Sequence, residues 1–248
     1  MRFFHRLLFA WFAVTSLAWA FLWGTLLALP FLPLRRGVRE RFGIWASVLF
    51  GHCYLRFAAL ARPVVTGTEH VPYGTPYLVI SNHRSNLDPP MLVAYARAHG
   101  VSKQEVLWVP FVGYYAYLGG AVYFDRKDPV ARKRALHETL FMCLSRCPMH
   151  VFPEGTRTRD GEIRDKVSLK LIEAAWQARL PVVPASLWGT ERVFPRDALE
   201  IRPFRKVWLS FRKPVQPSDF DDATSFAEHA WAQVVEGFEV LRSEHPDA

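Results

Sequence analysis

Tyr77-Leu78-Val79-Ile80-Ser81-Asn82-His83-Arg84-Ser85-Asn86-Leu87-Asp88-Pro89-Pro90 is the stretch that decides how the chain is read. Its first four residues are an apolar strand candidate, its middle is a polar turn, and Asp88-Pro89-Pro90 opens a helix pattern continuing to about Ala98. A strand that stops at a polar turn and restarts as a helix presents side chains at the edge of a sheet. His83 and Asp88 stand five positions apart across that turn, close enough to meet if the backbone folds back. A carboxylate bonded to one ring nitrogen fixes the tautomer and frees the other nitrogen to take a proton from a hydroxyl. Asp88 before Pro89 also reads more simply, as a helix N-cap with proline in the first turn.

Downstream, residues 105–109 (Glu-Val-Leu-Trp-Val) read as a second buried strand. The aromatic stretch 110–118 that follows suits either ordinary core or a wall lining an acyl chain. Residues 122–124 are strand-like and deliver Asp125-Arg126, and Asp128-Pro129 caps a helix to about Ser145. Residues 150–152 form a short strand ending at Pro153-Glu154-Gly155. There the glycine lets backbone approach a ligand, and Thr156, Arg157 and Arg159 supply donors. Arginine forks match phosphate oxygens, so Arg126 and Arg157 make a candidate phosphate cradle; pairing with Asp125, Asp160 or Asp165 is the alternative. Glu154 has three open roles: orienting Arg157, orienting the histidine loop, or meeting an acceptor hydroxyl. Residues 168–178 are an amphipathic helix pattern, 180–187 a buried strand, 206–211 an alternating strand, and 220–241 a closing helix. Strands alternating with helices predict an α/β fold, a mixed sheet flanked by helices, with the motif loops gathered at one edge.

Upstream, residues 7–34 carry no charged side chain and include Trp11, Trp19 and Trp23. Such a run is long enough for a hydrocarbon core of about 30 Å. Ala18-Trp19-Ala20 resembles a signal-peptidase site, but the apolar run continues past it to Leu34, which fits a retained anchor better. A second apolar stretch, 42–61, follows a basic loop holding Arg35, Arg36, Arg39 and Arg41. Two full spans with an inner N-terminus would translocate that loop, against the positive-inside tendency. A shallow two-helix anchor keeps it on the cytoplasmic side, with His52 and Arg56 as a polar stripe on the second helix. The expected division is residues 1–62 as a membrane anchor and 63–248 as a globular domain facing the cytoplasm at the inner membrane.

Formal charge +8 implies anionic partners such as a membrane surface, a phosphorylated lipid or a nucleotide-bearing donor. No nucleic-acid-binding module is present, so nucleic acid is not expected. Cys53, Cys143 and Cys147 give neither a disulfide framework nor zinc spacing, and no metal is expected.

Asn82-His83-x-Ser85-x-x-Asp88 resembles the first motif of the glycerolipid acyltransferase family, whose best-known members are the 1-acyl-glycerol-3-phosphate acyltransferases. Residues 120–126 resemble the second motif, which ends in arginine. Phe152-Pro153-Glu154-Gly155-Thr156-Arg157-Thr158-Arg159 resembles the third, with threonine for its second hydroxyl residue. Val182-Val183-Pro184-Ala185 resembles the fourth. The resemblance implies a glycerol-phosphate-acyltransferase-like fold and a membrane-bound enzyme using acyl-coenzyme A or acyl carrier protein as donor and a lysophospholipid as acceptor. His83 would be the general base, oriented by Asp88, with no cofactor. Arg126, Glu154, Gly155, Thr156, Arg157 and Lys166 would hold the acceptor headgroup, with Asn82, Ser85 and Pro184 supporting. Beyond the third motif the family carries Phe-Lys-x-Gly. Here Arg164-Asp165-Lys166-Val167-Ser168 keeps the lysine alone, leaving glycerol-3-phosphate or a phosphate-free lysolipid such as lyso-ornithine lipid as alternative acceptors. A non-enzymatic basic lipid-binding protein is the reading from a different class.

Overall fold

The molecule is represented by a computed structural model that describes residues 2–23, 36–108, 113, 120–125, 127–196 and 200–246. Its strands are β1 (Arg62–Thr66), β2 (Leu78–Ser81), β3 (His99–Lys103), β4 (Val122–Phe124), β5 (Met149–Val151), β6 (Val182–Trp188) and β7 (Lys206–Phe211). They form one sheet in the order β1-β7-β6-β2-β5-β3-β4, with β2 in the middle. Every pairing is parallel except β6 with β7, so the sheet is mixed, as the sequence predicts.

The residues around β2 show why it is central. Tyr77 and Val79 enter the core on one face of the sheet, and Leu78 and Ile80 enter the core on the other. Successive side chains of a strand point to opposite faces, so a strand apolar at every position must be covered on both. One cover comprises α1 (Arg2–Trp23), a π-helical turn at Tyr54–Ala58, and α3 (Asp88–Ala96), against which α2 (Arg36–Cys53) packs. The other comprises the helices Pro129–Ser145, Lys170–Gln177 and Ala223–Glu244. Asp128 accepts from the Val130 amide and Asp222 from those of Thr224 and Ser225, so both long helices start where acceptor side chains meet free N–H groups.

Two expectations are corrected here. Of the expected strand 105–109, the described residues 105–108 are not extended: Gln104–Leu107 is one helical turn, and Trp108 is 77% exposed. The third strand lies just upstream, in the polar segment His99–Lys103. Pairing with β4 and β5 on either side, rather than side-chain apolarity, makes it a strand. The arginines from Arg36 on do not form a loop either; they begin α2, in keeping with arginine's good helix propensity. A π turn, Tyr54–Ala58, follows α2 and carries Arg56, which with His52 lies beside Tyr95. The His52 ring packs edge-on against Tyr95 of α3, 4.8 Å between centroids.

Among the described residues no helix is long and apolar enough to cross a membrane. The helix pair also packs into the common core. Phe12 of α1 is buried against Phe194 and Tyr54 at centroid distances of 5.2 and 5.6 Å. The opposite face of α1 exposes Leu7, Trp11, Val14, Phe21 and Leu22 at helical spacing. Residues 24–35 and most of 109–119 lie outside the described residues, and with them most of the aromatic stretch read above.

Candidate active site

Three loops meet beyond the carboxyl ends of neighbouring parallel strands, the position where sheets of this class bind ligands. They follow β2, β5 and β6. The first is fixed by Asn82, whose side-chain amide donates to the Leu187 carbonyl at 2.9 Å and accepts from the Leu187 N–H at 2.8 Å. A side-chain amide here copies a peptide unit and carries the β2–β6 pairing one step past the end of β2. Asparagine suits that place, having both donor and acceptor at its tip.

Beyond that clamp the backbone turns back and His83 Nδ1 lies 2.9 Å from Asp88 Oδ2. Asp88 is fully buried, whereas 15% of the His83 side chain is exposed. The same Oδ2 accepts from the Arg84 and Ser85 amides at 2.6 and 2.7 Å, and Oδ1 accepts from the Thr190 hydroxyl at 2.6 Å. The expected helix cap is therefore changed in kind. Asp88 is the first residue of α3, after Leu87 at the N-cap, and its carboxylate bonds the preceding turn rather than the helix. An acceptor-only carboxylate on Nδ1 makes that nitrogen the donor and leaves Nε2 with a free lone pair. Phe152 backs the imidazole, with stacked rings 3.9 Å apart and 11° from parallel.

The second loop supplies Glu154, buried, with Oε1 accepting from the His83 N–H at 2.7 Å and Oε2 from the Arg164 N–H at 3.2 Å. Of its three open roles the structure supports one, holding the histidine loop. Burial pushes the Glu154 carboxyl above its ordinary value, opposed chiefly by these two amides. Gly155 follows at φ +66°, which only glycine adopts freely. Thr156 and Arg157 are half-buried, and the Arg157 carbonyl accepts from Arg196. The Thr158 N–H donates to the His83 carbonyl at 2.8 Å, so the third motif runs alongside the first. Lys166 is exposed on a segment tied back through Ser168 to Pro153. Pro184 is buried in β6 opposite Ile80, Ser85 donates to the Phe194 carbonyl at 2.8 Å, and Arg126 lies outside the described residues. As for the alternative of aspartates pairing the arginines, Asp125 accepts from the Lys127 amide, and Asp160 from the Thr158 hydroxyl and the Glu162 amide.

His150 lies behind Phe152, donating Nδ1–H to the Ala98 carbonyl at 2.8 Å. Burial holds its pKa down at about 4, so near neutrality it is a fixed donor rather than a proton carrier.

The third loop went unnoticed in the sequence. Arg84 makes a two-pronged bond to Glu191, at 2.7 and 2.8 Å, and its guanidinium lies over Trp188 and Phe238. Thr190 and Glu191 carried a readable signal nonetheless. They follow Gly189, at φ +82°, directly after a buried strand, the same strand-then-polar-turn pattern that singled out His83.

A family model described as Acyltransferase matches residues 62–188. The chain is similar to the 1-acyl-sn-glycerol-3-phosphate acyltransferase of Limnanthes douglasii, 29% identical over 215 residues, covering 86% of this chain and 73% of that protein. It is also similar to 1-acyl-sn-glycerol-3-phosphate acyltransferase alpha of Homo sapiens, 32% identical over 163 residues, covering 64% and 56%. Among solved structures it resembles the 1-acyl-sn-glycerophosphate (LPA) acyltransferase, PlsC, from Thermotoga maritima. The TM-score is 0.84 and the identity 28%, with 98% of each chain covered.

Proposed function

The chain belongs to the acyltransferase family, and from that premise we propose that it esterifies the free hydroxyl of a lysophospholipid, converting 1-acyl-sn-glycerol-3-phosphate to phosphatidic acid. The observation that carries this reading is the His83–Asp88 pair at 2.9 Å, its carboxylate buried and its imidazole partly exposed. His83 Nε2 takes the proton of the acceptor hydroxyl as the oxygen attacks the thioester carbonyl. The tetrahedral intermediate collapses, the carbon–sulfur bond breaks, and the imidazolium returns the proton to the departing thiolate. A thioester is already activated, so positioning and one general base suffice, without a covalent enzyme intermediate. Coenzyme A and acyl carrier protein are both donors consistent with this chemistry. Arg157, with Arg126 and Lys166, is assigned to the acceptor phosphate, and Gly155 and Thr156 to the turn that presents it.

The direct test is thiol release from acyl-coenzyme A, and from acylated carrier protein, by detergent-solubilised enzyme. The acceptor panel contains lysophosphatidic acid, glycerol-3-phosphate and lyso-ornithine lipid, because residues 166–168 depart from the family pattern. Release that needs lysophosphatidic acid supports the assignment; release with another acceptor replaces the substrate and keeps the mechanism. In the same assay Arg157→Ala is expected to lower kcat/KM for phosphorylated acceptors about 10–100-fold more than for phosphate-free ones, as loss of a charge-assisted bond predicts. Equal loss across the panel makes Arg157 structural.

The membrane is the matching partner, with the domain facing the cytoplasm at the inner membrane. The outward row Leu7, Trp11, Val14, Phe21 and Leu22 on α1 supports a shallow anchor that lies in one leaflet. Each large apolar side chain gains up to about 2 kcal/mol on leaving water. Trp11→Asp combined with Phe21→Asp is expected to release the protein from anionic vesicles in flotation assays; undiminished flotation would locate the contact elsewhere.

A further inference from the structure

We infer that Thr190 is a positioning residue for the proton transfer, acting through Asp88; this rests on the acyl-transfer reading of the His83–Asp88 pair. The donors on Asp88 divide by origin. Oδ2 is held by His83 Nδ1 and by the amides of Arg84 and Ser85, all from the turn that Asp88 itself closes. Oδ1 is held by the Thr190 hydroxyl, from a residue 102 positions away. The terminal torsion of an aspartate is broad, so three donors on one oxygen fix where that oxygen lies but not the plane of the carboxylate. A hydrogen bond to an sp² oxygen favours that plane, so the bond at Oδ1 sets the direction in which Oδ2 faces the imidazole.

The turn bearing Thr190 is braced for such a role. Gly189 at φ +82° swings the chain over the end of β6, and Thr190 is fully buried as the first residue of the turn Thr190–Val193. Directly after it Glu191 grips the Arg84 guanidinium through both oxygens, and at the end of the turn the Phe194 carbonyl accepts from the Ser85 hydroxyl. Three independent bonds thus tie residues 84–88 to residues 190–194. The Arg84 and Ser85 bonds hold the loop, whereas the Thr190 bond reaches the functional carboxylate itself. As His83 takes the acceptor proton it becomes a cation, and a carboxylate turned out of line stabilises that cation less. The effect therefore falls on the chemical step rather than on substrate binding.

The test compares Thr190→Val, which keeps shape and removes the hydroxyl, with Thr190→Ser, which keeps the hydroxyl, and with His83→Ala. Thr190→Val is expected to lower kcat about 10–100-fold, the range for a lost bond to a charged group, with KM for donor and acceptor unchanged. Thr190→Ser is expected to recover kcat to within about threefold of wild type on the same grounds. In proton NMR spectra the downfield resonance of His83 Nδ1–H is expected to move upfield in the valine variant and to return in the serine variant. If Thr190→Val does not fold, Thr190→Ala removes the same hydroxyl and is expected to show the same selective loss of kcat. Wild-type turnover in a folded valine or alanine variant, a serine variant no better than valine, or loss confined to KM overturns the inference. Should His83→Ala itself keep turnover, the general-base reading beneath it fails instead.

Discussion

His83→Ala is expected to reduce acyl transfer by at least about 10³-fold, towards the upper end of what a positioned general base contributes. The structure makes this substitution a clean one. The loop is held through groups the mutation does not touch: the His83 N–H on Glu154, the His83 carbonyl on Thr158, and the Asn82 amide on Leu187. Asp88 loses one of its four donors and keeps three, so no buried carboxylate is stranded. What disappears is the imidazole and its stack on Phe152. Folding and vesicle binding should therefore match wild type while thiol release drops to the background of enzyme-free vesicles. Turnover within tenfold of wild type would sink the assignment of His83 as base.

Glu154→Gln carries the second large effect, although the two side chains have nearly the same shape. Both oxygens of Glu154 accept from backbone N–H groups, those of His83 and Arg164. A glutamine has one oxygen and one amino group, so whichever way it turns it must point donors at one of those amides. The cost is a lost bond to a charged acceptor plus an unsatisfied buried N–H, about 2–3 kcal/mol. Because one of the two amides belongs to His83, the strain falls on the loop that sets the base. A drop in thermal midpoint together with about a 10–100-fold loss of kcat is expected. A variant with wild-type midpoint and rate would mean that the carboxylate does not bridge the two loops.

The sequence gives a good account of those parts of the site whose partners are close in the chain. His83 and Asp88 bracket a turn that a continuous apolar run on one side and a proline-started helix on the other define by themselves. The cap of the helix Pro129–Ser145 is equally local and was legible in Asp128-Pro129. Strand β3 was not, because His99-Gly100-Val101-Ser102-Lys103 has no strand pattern of its own and is extended by its two neighbours. The apolar residues just after it drew the assignment downstream to a segment that is one helical turn with Trp108 in solvent. The purpose of Glu154 was hidden for a related reason: its partners are backbone amides, which leave no mark in residue identity. Thr190 and Glu191 stand in a legible strand-then-polar-turn pattern, but their partners are not legible, because only the placement of β6 beside β2 brings them to Asp88 and Arg84.

The bonds that hold the histidine loop have a consequence for the order in which the protein matures. They close chain segments of 71 residues to Glu154, 102 to Thr190, 105 to Leu187, 107 to Glu191 and 109 to Phe194. Contacts of such separation form only after the intervening chain has paid its closure entropy, late in assembly. A nascent or half-folded chain already contains His83 and Asp88, but it lacks everything that holds them in register. The His83–Asp88 pair is thus held in register only once β6 has paired with β2, and a molecule that lacks that pairing carries no assembled base.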